Sequence, residues 1–302
     1  MPASEDLRNE LAAIAPPRGC CRLAELSALF HSAGSVHLRG RGRISLHLDV
    51  VSSSVARRAF SLLRELGIAA EIRTYRRRAF DRATRYQLHV PGNDHVLATL
   101  VEAGVLDSRR APLERPPRRV VGRSCCRRAY LRGALLGGGS LSGPRAPHLE
   151  LRTTSLEGAE FLRFVADAEG VNVGVLDRGR HALAYAKGND AIEGLLVAAG
   201  AADTVLALEE RAVLAATRAE ANRLANADHA NLVRTSRAAQ EQLRALRAAG
   251  EVERLPEHLQ EVARLRLRHP TLSLRELAAR CDPPATKASV HRRLRKLQQL
   301  AE

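Results

Sequence analysis

The sequence predicts an α+β fold in which a duplicated αββαββα domain is followed by an all-α domain ending in a helix-turn-helix. Three observations carry this expectation. Short patterns recur at slowly shrinking offsets, and the residues between them alternate with period two or about 3.6. From about Asp203 onward only the helical period remains. The 302 residues allow about two domains, each with its own core. With 45% apolar and 27% charged residues, wholesale disorder is excluded.

The repeats are an ordered series. Cys20-Cys21-Arg22 returns as Cys125-Cys126-Arg127, and Leu26, Gly34 and Ser35 return as Leu131, Gly139 and Ser140 at the same offset of 105. Ile44, Leu46 and Leu48 are echoed by Leu149 and Leu151. Leu66-Gly67-Ile68 corresponds to Glu169-Gly170-Val171 at 103, and Gly92-Asn93-Asp94 to Gly188-Asn189-Asp190 at 96. Leu100–Gly104 matches Leu196–Gly200 at 96 as well. Loop deletions in a duplicated unit produce such a monotonic drift.

The elements follow in order. Residues 4–15 read as a small helix with Leu7, Leu11 and Ile14 on one face, stopped by Pro16-Pro17. Each copy opens on a helix (21–33; 126–138) that ends at a glycine suited to a left-handed C-terminal position. Two short strands follow, at 35–40 and 43–49 in the first copy. A second helix spans 52–67 or 155–170. Two more strands come next, at 69–76 with 85–90 and at 171–177 with 181–186. A short helix after Gly-Asn-Asp closes the unit. The domain of residues 1–202 thus holds copies at about 20–104 and 125–200, with a proline-bearing linker at 109–119. Residues 203–225 read as a long helix leading into a polar stretch at 226–231, so that 203–234 form a connecting segment. Residues 235–302 form the helical domain, beginning with a helix to about 249. Pro256 suits a first helical turn, and His269-Pro270 marks a helix end. Within the helix-turn-helix at 273–300, Ser273-Leu274-Arg275-Glu276 is a capping box, with Leu274, Leu277, Ala278 and Cys281 as the apolar stripe. Asp282-Pro283-Pro284-Ala285 is a turn, and Thr286 caps the final helix.

The charge locates a candidate function. The net +15 divides into +6 over residues 1–110, +4 over 111–202, +1 over 203–282 and +4 over 283–302. The highest density therefore falls on the last helix. At about 100° per residue, Val290, Leu294 and Leu297 form its buried seam, and Ala288, Arg292, Arg295 and Gln299 its opposite face. Ser289, His291 and Lys296 lie on the shoulders, while Lys287 and Arg293 border the seam. A helix that is apolar inside and basic outside, joined to a capped helix by a tight turn, fits the major groove of double-stranded DNA. In that reading Thr286 and Lys287 open the helix, and Lys287, Ser289, His291 and Arg292 reach base edges. Arg293, Arg295 and Lys296 contact phosphate. The alternative is a solvated basic helix capping a bundle.

The repeated helices point the same way. Leu26-Ser27-Ala28-Leu29-Phe30-His31-Ser32-Ala33-Gly34 and Leu131-Arg132-Gly133-Ala134-Leu135-Leu136-Gly137-Gly138-Gly139 each align without gaps on the LAGLIDADG signature of homing endonucleases. That resemblance implies two motif helices packed through small residues, with the acid before the final glycine binding a catalytic metal. Those positions here are Ala33 and Gly138, and neither offers the oxygen ligand that a hard cation needs. The resemblance then extends over nearly the whole chain. The openings Cys20–Leu26 and Cys125–Ala134, the stretch Asn222-Arg223-Leu224-Ala225-Asn226, and Asp282-Pro283-Pro284 before Leu294-Arg295-Lys296-Leu297 resemble the WhiA family of bacterial transcriptional regulators. That family joins a degenerate LAGLIDADG domain to a C-terminal helix-turn-helix and is associated with sporulation and cell division. The resemblance implies a cytoplasmic, nucleoid-associated, sequence-specific regulator without catalytic activity. It also implies RNA polymerase and its sigma factor as a protein partner. One departure is visible: the family commonly reads Gly-Val-Asn-His-Arg-Leu where this chain has Ser289-Val290-His291-Arg292-Arg293-Leu294.

Other chemistries fare worse. Gly137–Gly139 end a helix and lack a phosphate-loop pattern. The paired cysteines lack Cys-x-x-Cys spacing and are expected as core or helix-interface residues, and their odd total of five argues against a disulfide framework. The histidines show no ligand grouping, so neither a metal nor a cofactor is expected. No apolar run reaches the length of a membrane span. The arginines at 39–43 and 73–78 fit a DNA-facing sheet or a solvated strand edge equally well. Two rival functions remain: a metal-dependent endonuclease that recruits other acids, such as Glu25 or Asp203, and an interaction scaffold for the transcription machinery. The internal pseudo-two-fold removes the need for a dimer.

Overall fold

The computed structural model describes residues 2–39, 43–76, 84–142 and 147–300. The chain divides into two compact units, Met1–Leu214 and Ala215–Glu302. In the first, α1 (Pro2–Ala12) precedes two copies of one unit. The first copy is α2 (Gly19–Ala33), β1 (Gly34–Arg39), β2 (Arg43–Val50), α3 (Ser53–Glu65), β3 (Glu71–Arg76), β4 (Thr84–Pro91) and α4 (Asp94–Glu102). The second is α5 (Ser124–Gly138), β5 (Gly139–Leu141), β6 (His148–Thr153), α6 (Leu156–Asp167), β7 (Gly174–Asp177), β8 (Ala182–Lys187) and α7 (Asn189–Ala199). The order αββαββα therefore occurs twice, and a 3-10 turn at Arg118–Val121 leads into the second copy.

Each copy builds one antiparallel four-stranded sheet, β1-β2-β4-β3 and β5-β6-β8-β7. The register pairs Leu46 with Val90 and Leu48 with Leu88 in one sheet, and Leu149 with Ala186 and Leu151 with Ala184 in the other. Alternation does the rest: Leu46, Leu48 and Val50, Leu88 and Val90, Leu149 and Leu151, and Ala184 and Ala186 fall at every second position and join the core. One hydrophobic core runs through both copies. α1 bridges them. The Ser4 hydroxyl donates to the Leu141 carbonyl and accepts from the Leu141 amide, both at 2.9 Å, while Ser52 donates to Glu5 at 2.6 Å.

Two local expectations are corrected. Gly34 and Gly139 do not adopt left-handed backbone: φ is −91° and −73°, and each helix passes straight into a strand. A Cβ at either glycine would run into the carbonyl oxygen of Phe30 or Leu135, so the requirement is close approach. Left-handed glycines follow other helices of the copies, among them Gly67 after α3 at φ 73° and Gly170 after α6 at 79°. There the amides of Ile68 and Val171 close back on the carbonyls of Leu63 and Ala166 at 2.9 Å.

The second correction concerns the polar stretch at 226–231, which does not interrupt the chain: α8 runs from Ala202 to Ala248. Asn, Asp and His are only weakly unfavourable in a helix, and neither Gly nor Pro stands among them. In the second unit a 3-10 turn (Val252–Arg254) is followed by α9 (Glu257–Arg268), α10 (Leu274–Ala279) and α11 (Lys287–Leu300). Pro256 sits at the N-cap of α9, just before its first turn. Leu246, Leu259, Val262, Leu277, Val290, Leu294 and Leu297 form the core of this unit. Buried Arg266 clamps the α9–α10 connection by donating to the Leu272 carbonyl at 2.6 Å.

Among the described residues, no helix is long and apolar enough to cross a membrane. Of the arginine runs, 40–42 and 77–78 lie outside the described residues, while Arg73 is paired with Glu71 at 2.8 Å.

Candidate nucleic-acid interface

The last helix is placed by caps and by its seam. At the start of α10 the Glu276 amide donates to the Ser273 hydroxyl at 3.3 Å, and the Ser273 amide donates to the Glu276 carboxylate at 2.8 Å. These bonds hold the Glu276 carboxyl below the usual carboxylate range, the backbone bond contributing most. The folded value lies below the unfolded one, so this stabilisation is complete above roughly pH 4.3 and is lost as pH falls through the folded value. Ser273→Ala is expected to cost about 1 kcal/mol locally. Hydrogen exchange at the Leu277 amide should then speed up about fivefold near neutral pH, with the difference shrinking in acid.

The turn that follows is held by two hydrogen bonds and contains one cis peptide. Ala285 donates to the Ala278 carbonyl at 2.9 Å, Asp282 donates through its amide to Glu261 at 2.6 Å, and the Asp282–Pro283 peptide is cis. Thr286 then caps α11, its hydroxyl accepting from the Ser289 amide at 3.2 Å. Val290, Leu294 and Leu297 are buried as the seam requires.

That packing decides where the basic side chains go. Thr286, Lys287, His291, Arg292, Arg295 and Lys296 are exposed, and Ser289 is half-buried. At 100° per residue, Lys287, His291, Arg295, Arg292 and Lys296 succeed one another around the exposed half of the helix. Arg293 differs. It is partly buried, and its guanidinium lies 3.5 Å from Glu261 on α9, so it braces the helix against its neighbour. Lys287 and His291 line a groove of about 810 Å³ with Ser273, Arg275 and Arg234. Arg275 is exposed at the second position of α10, and sequence reasoning saw it only as a member of the capping box. Its place two residues after an N-cap serine was the available signal, since that position faces outward at the start of a helix.

The motif helices of the first unit tell a different story. α2 and α5 pack against each other through small residues: a Cβ on Gly133 would strike the Glu25 carbonyl, and one on Gly137 would come within 2.9 Å of Ser32 Cβ. Their C-terminal ends open into a cleft of about 600 Å³ that contains Ala33 and Gly138. Four arginines (Arg8, Arg85, Arg152, Arg180) and two acids (Asp49, Glu150) line it. Asp49 already accepts from the Tyr75 hydroxyl at 3.0 Å and from Gln87 at 3.2 Å. Glu25 is fully buried in the core, with one oxygen 2.8 Å from Arg58 and the other 2.8 Å from Arg132. That overturns its candidacy as a recruited metal ligand. Asp203 opens α8 and is exposed, its amide donating to Glu10 at 2.8 Å. Among the described residues, the one group of three or more His, Cys, Asp or Glu side chains able to share a metal ion is the four paired cysteines. Their spacing argued against any such grouping, yet the helix packing brings them together.

Family models match three stretches: the WhiA N-terminal LAGLIDADG-like domain over residues 19–105, the WhiA LAGLIDADG-like domain over 127–218 and the WhiA C-terminal HTH domain over 221–301. A protein of Heliobacterium modesticaldum named probable cell division protein WhiA is 37% identical over 307 residues, covering 100% of this chain and 96% of its own. The chain belongs to the WhiA family. A relative of the same name from Streptomyces griseus subsp. griseus is 37% identical, with 98% of this chain and 91% of that protein covered. The crystal structure of full-length DUF199/WhiA from Thermatoga maritima has the same fold, at a TM-score of 0.57 and 23% identity over 98% of this chain and 96% of that one. The fold class is therefore the one the repeats implied: two LAGLIDADG-like copies followed by the WhiA helix-turn-helix domain.

Proposed function

We propose that this WhiA-family chain is a sequence-specific, non-enzymatic regulator of transcription, acting on sporulation and cell-division genes. In this reading α11 enters the major groove of double-stranded DNA. The observation that carries it is the exposed arc of five basic side chains on the second helix of a capped helix-turn-helix. Lys287, Ser289, His291 and Arg292 reach base edges near the start of the helix, with Thr286 fixing its first turn. Arg295 and Lys296 hold phosphates, joined by Arg275 across the groove. Arg293 is assigned first to Glu261 and only then to the backbone of the DNA. The presence of Ser289 and His291 in place of the family's Gly and Asn gives this chain its own base preference.

The first unit supplies no cutting centre in this reading, because Ala33 and Gly138 stand where the ligating acids would be. Its surface instead receives RNA polymerase through the sigma factor. The domain limits that go with this division of labour are 1–202 and 235–302, joined by the connecting segment.

The test is binding of a fluorescent promoter fragment chosen by selection from a random DNA pool. With about four phosphate contacts, log affinity should fall against log salt with a slope near −3.6. Arg292→Ala and Arg295→Ala should each weaken binding about tenfold, Arg292→Ala more for the selected site than for random DNA. Unchanged binding by the double variant would sink the assignment to α11. Nicking of supercoiled plasmid in Mg²⁺ or Mn²⁺ would restore the endonuclease reading.

A further inference from the structure

Cys20 and Cys21 lie in the first turn of α2, and Cys125 and Cys126 in the first turn of α5. The pairs are 105 residues apart in sequence, but the duplication lays the two motif helices side by side, and their N-terminal turns meet. All four are free thiols. Their Sγ atoms lie within 4.8 Å of one another, and each adjacent pair is 4.0 Å apart. We propose that these four cysteines form a tetrathiolate site for one Zn²⁺ ion, which staples the two copies of the duplicated domain together at the start of their motif helices.

The geometry selects this class of metal. A Zn–S bond of about 2.3 Å in a tetrahedron places the sulfurs roughly 3.8 Å apart. The observed separations need adjustments of no more than about 1 Å to reach that. An iron–sulfur cluster must fit several irons and sulfides between its cysteines, and sulfurs this close leave no room for one. Hard cations such as Mg²⁺ prefer oxygen, which this cluster does not offer.

The surroundings suit the charge. Binding releases up to four protons to solvent and leaves a Zn(Cys)₄ group of net charge −2. The Arg18 guanidinium is 3.8 Å from Cys125 Sγ, and the duplication places Arg123 at the matching N-cap of α5. Both 15-residue helices direct the positive ends of their dipoles at the sulfurs. Burial pushes the Cys21 and Cys126 thiols up to about 12, so the cation must displace their protons. Cys20 and Cys125 are partly exposed, which gives the ion a way in. The fifth cysteine, Cys281, donates to the Leu277 carbonyl in the other unit and serves as an internal control.

The full-length chain, purified under reducing and anaerobic conditions and stripped with a chelator, should be titrated with Co²⁺. The expected result is one Co²⁺ per chain, with sulfur-to-cobalt charge transfer and the visible bands of a tetrahedral tetrathiolate, displaced by one equivalent of Zn²⁺. Cys281→Ser should leave the titration unchanged. Cys20→Ser and Cys125→Ser, at the two partly exposed positions, should each weaken Co²⁺ binding at least tenfold and reduce the charge-transfer intensity. Near-UV circular dichroism of the tyrosines, all of which lie in the first unit, checks that these variants fold. Zn²⁺ should raise the melting temperature of the parent chain and not that of the Cys20→Ser, Cys125→Ser double variant. A cobalt spectrum with two thiolates or fewer, titrations indifferent to both serines, or a disulfide in the anaerobically purified chain would each overturn the proposal.

Discussion

Glu25→Ala is expected to destabilise the first unit by about 3–5 kcal/mol, the range for removing one partner of a buried ion pair. Glu25 is 0% exposed, and its two oxygens separately hold Arg58 and Arg132, whose side chains are 4% and 9% exposed. The alanine variant leaves two guanidinium groups in the core with little to neutralise them. Arg58 retains only a 3.6 Å contact with the half-exposed Glu65, and Arg132 a 3.4 Å bond to the Ala199 carbonyl. Every tyrosine and phenylalanine lies at or before Tyr185, within the first unit, so near-UV signals follow this unit alone during urea unfolding. A midpoint that barely moves would show that water reaches the arginines and that the trio is not a dry core element. A second variant separates the pairing from the packing. Replacing all three with apolar residues of similar volume (Glu25→Leu, Arg58→Met, Arg132→Met) should recover most of the loss or exceed the parent, because no buried charge then remains to be desolvated.

This trio also marks the limit of what the sequence discloses. The duplication was legible because the matching residues do the same mechanical work in both copies, as Gly67 and Gly170 do when they end α3 and α6. The helix-turn-helix was legible through Ser273, Glu276 and Thr286, whose capping bonds are local and span three residues. Pairings between distant parts of the chain were not. Arg132 reaches Glu25 across 107 residues, Arg293 reaches Glu261 across 32, and no periodicity announces either. The cysteines failed for the same reason. Spacing rules for metal sites describe ligands on one loop, whereas these four come from two helix starts that only the packing of α2 on α5 brings together. At Gly34 and Gly139 the residue type was read correctly as a special backbone position, but the demand came from a carbonyl across the turn and not from φ. The continuous α8 shows the converse: Asn, Asp and His read as a break only when helix propensity is given more weight than its few tenths of a kcal/mol deserve.

Placing acids at the two motif positions, 33 and 138, should not produce cutting, and the reason lies in the backbone. Ala33 is the half-buried last residue of α2, with space for a longer side chain beside the cleft, so Ala33→Asp is expected to fold normally. Gly138 is different. A Cβ there would collide with the backbone carbonyl of Arg152 on β6, which is fixed by its ladder to β8 and cannot move as a side chain could. Gly138→Asp should therefore destabilise the first unit by about 1–3 kcal/mol or more, and Gly138→Ala by a similar amount, since the clash begins at the first carbon. The double variant Ala33→Asp, Gly138→Asp would also aim its carboxylates into a cleft that already holds four arginines, which would pair with the new acids in place of a divalent cation. We expect no Mg²⁺- or Mn²⁺-dependent nicking of supercoiled plasmid by this variant, and a lower urea midpoint by near-UV circular dichroism. If the double variant instead folds with parental stability and nicks DNA, the strand carrying Arg152 yields more easily than its hydrogen bonds suggest. Acids at positions 33 and 138 would then suffice for cutting. If it is unstable and inactive, as expected, the glycine and the β6 carbonyl depend on each other, and packing at Gly138 excludes an acid at that motif position.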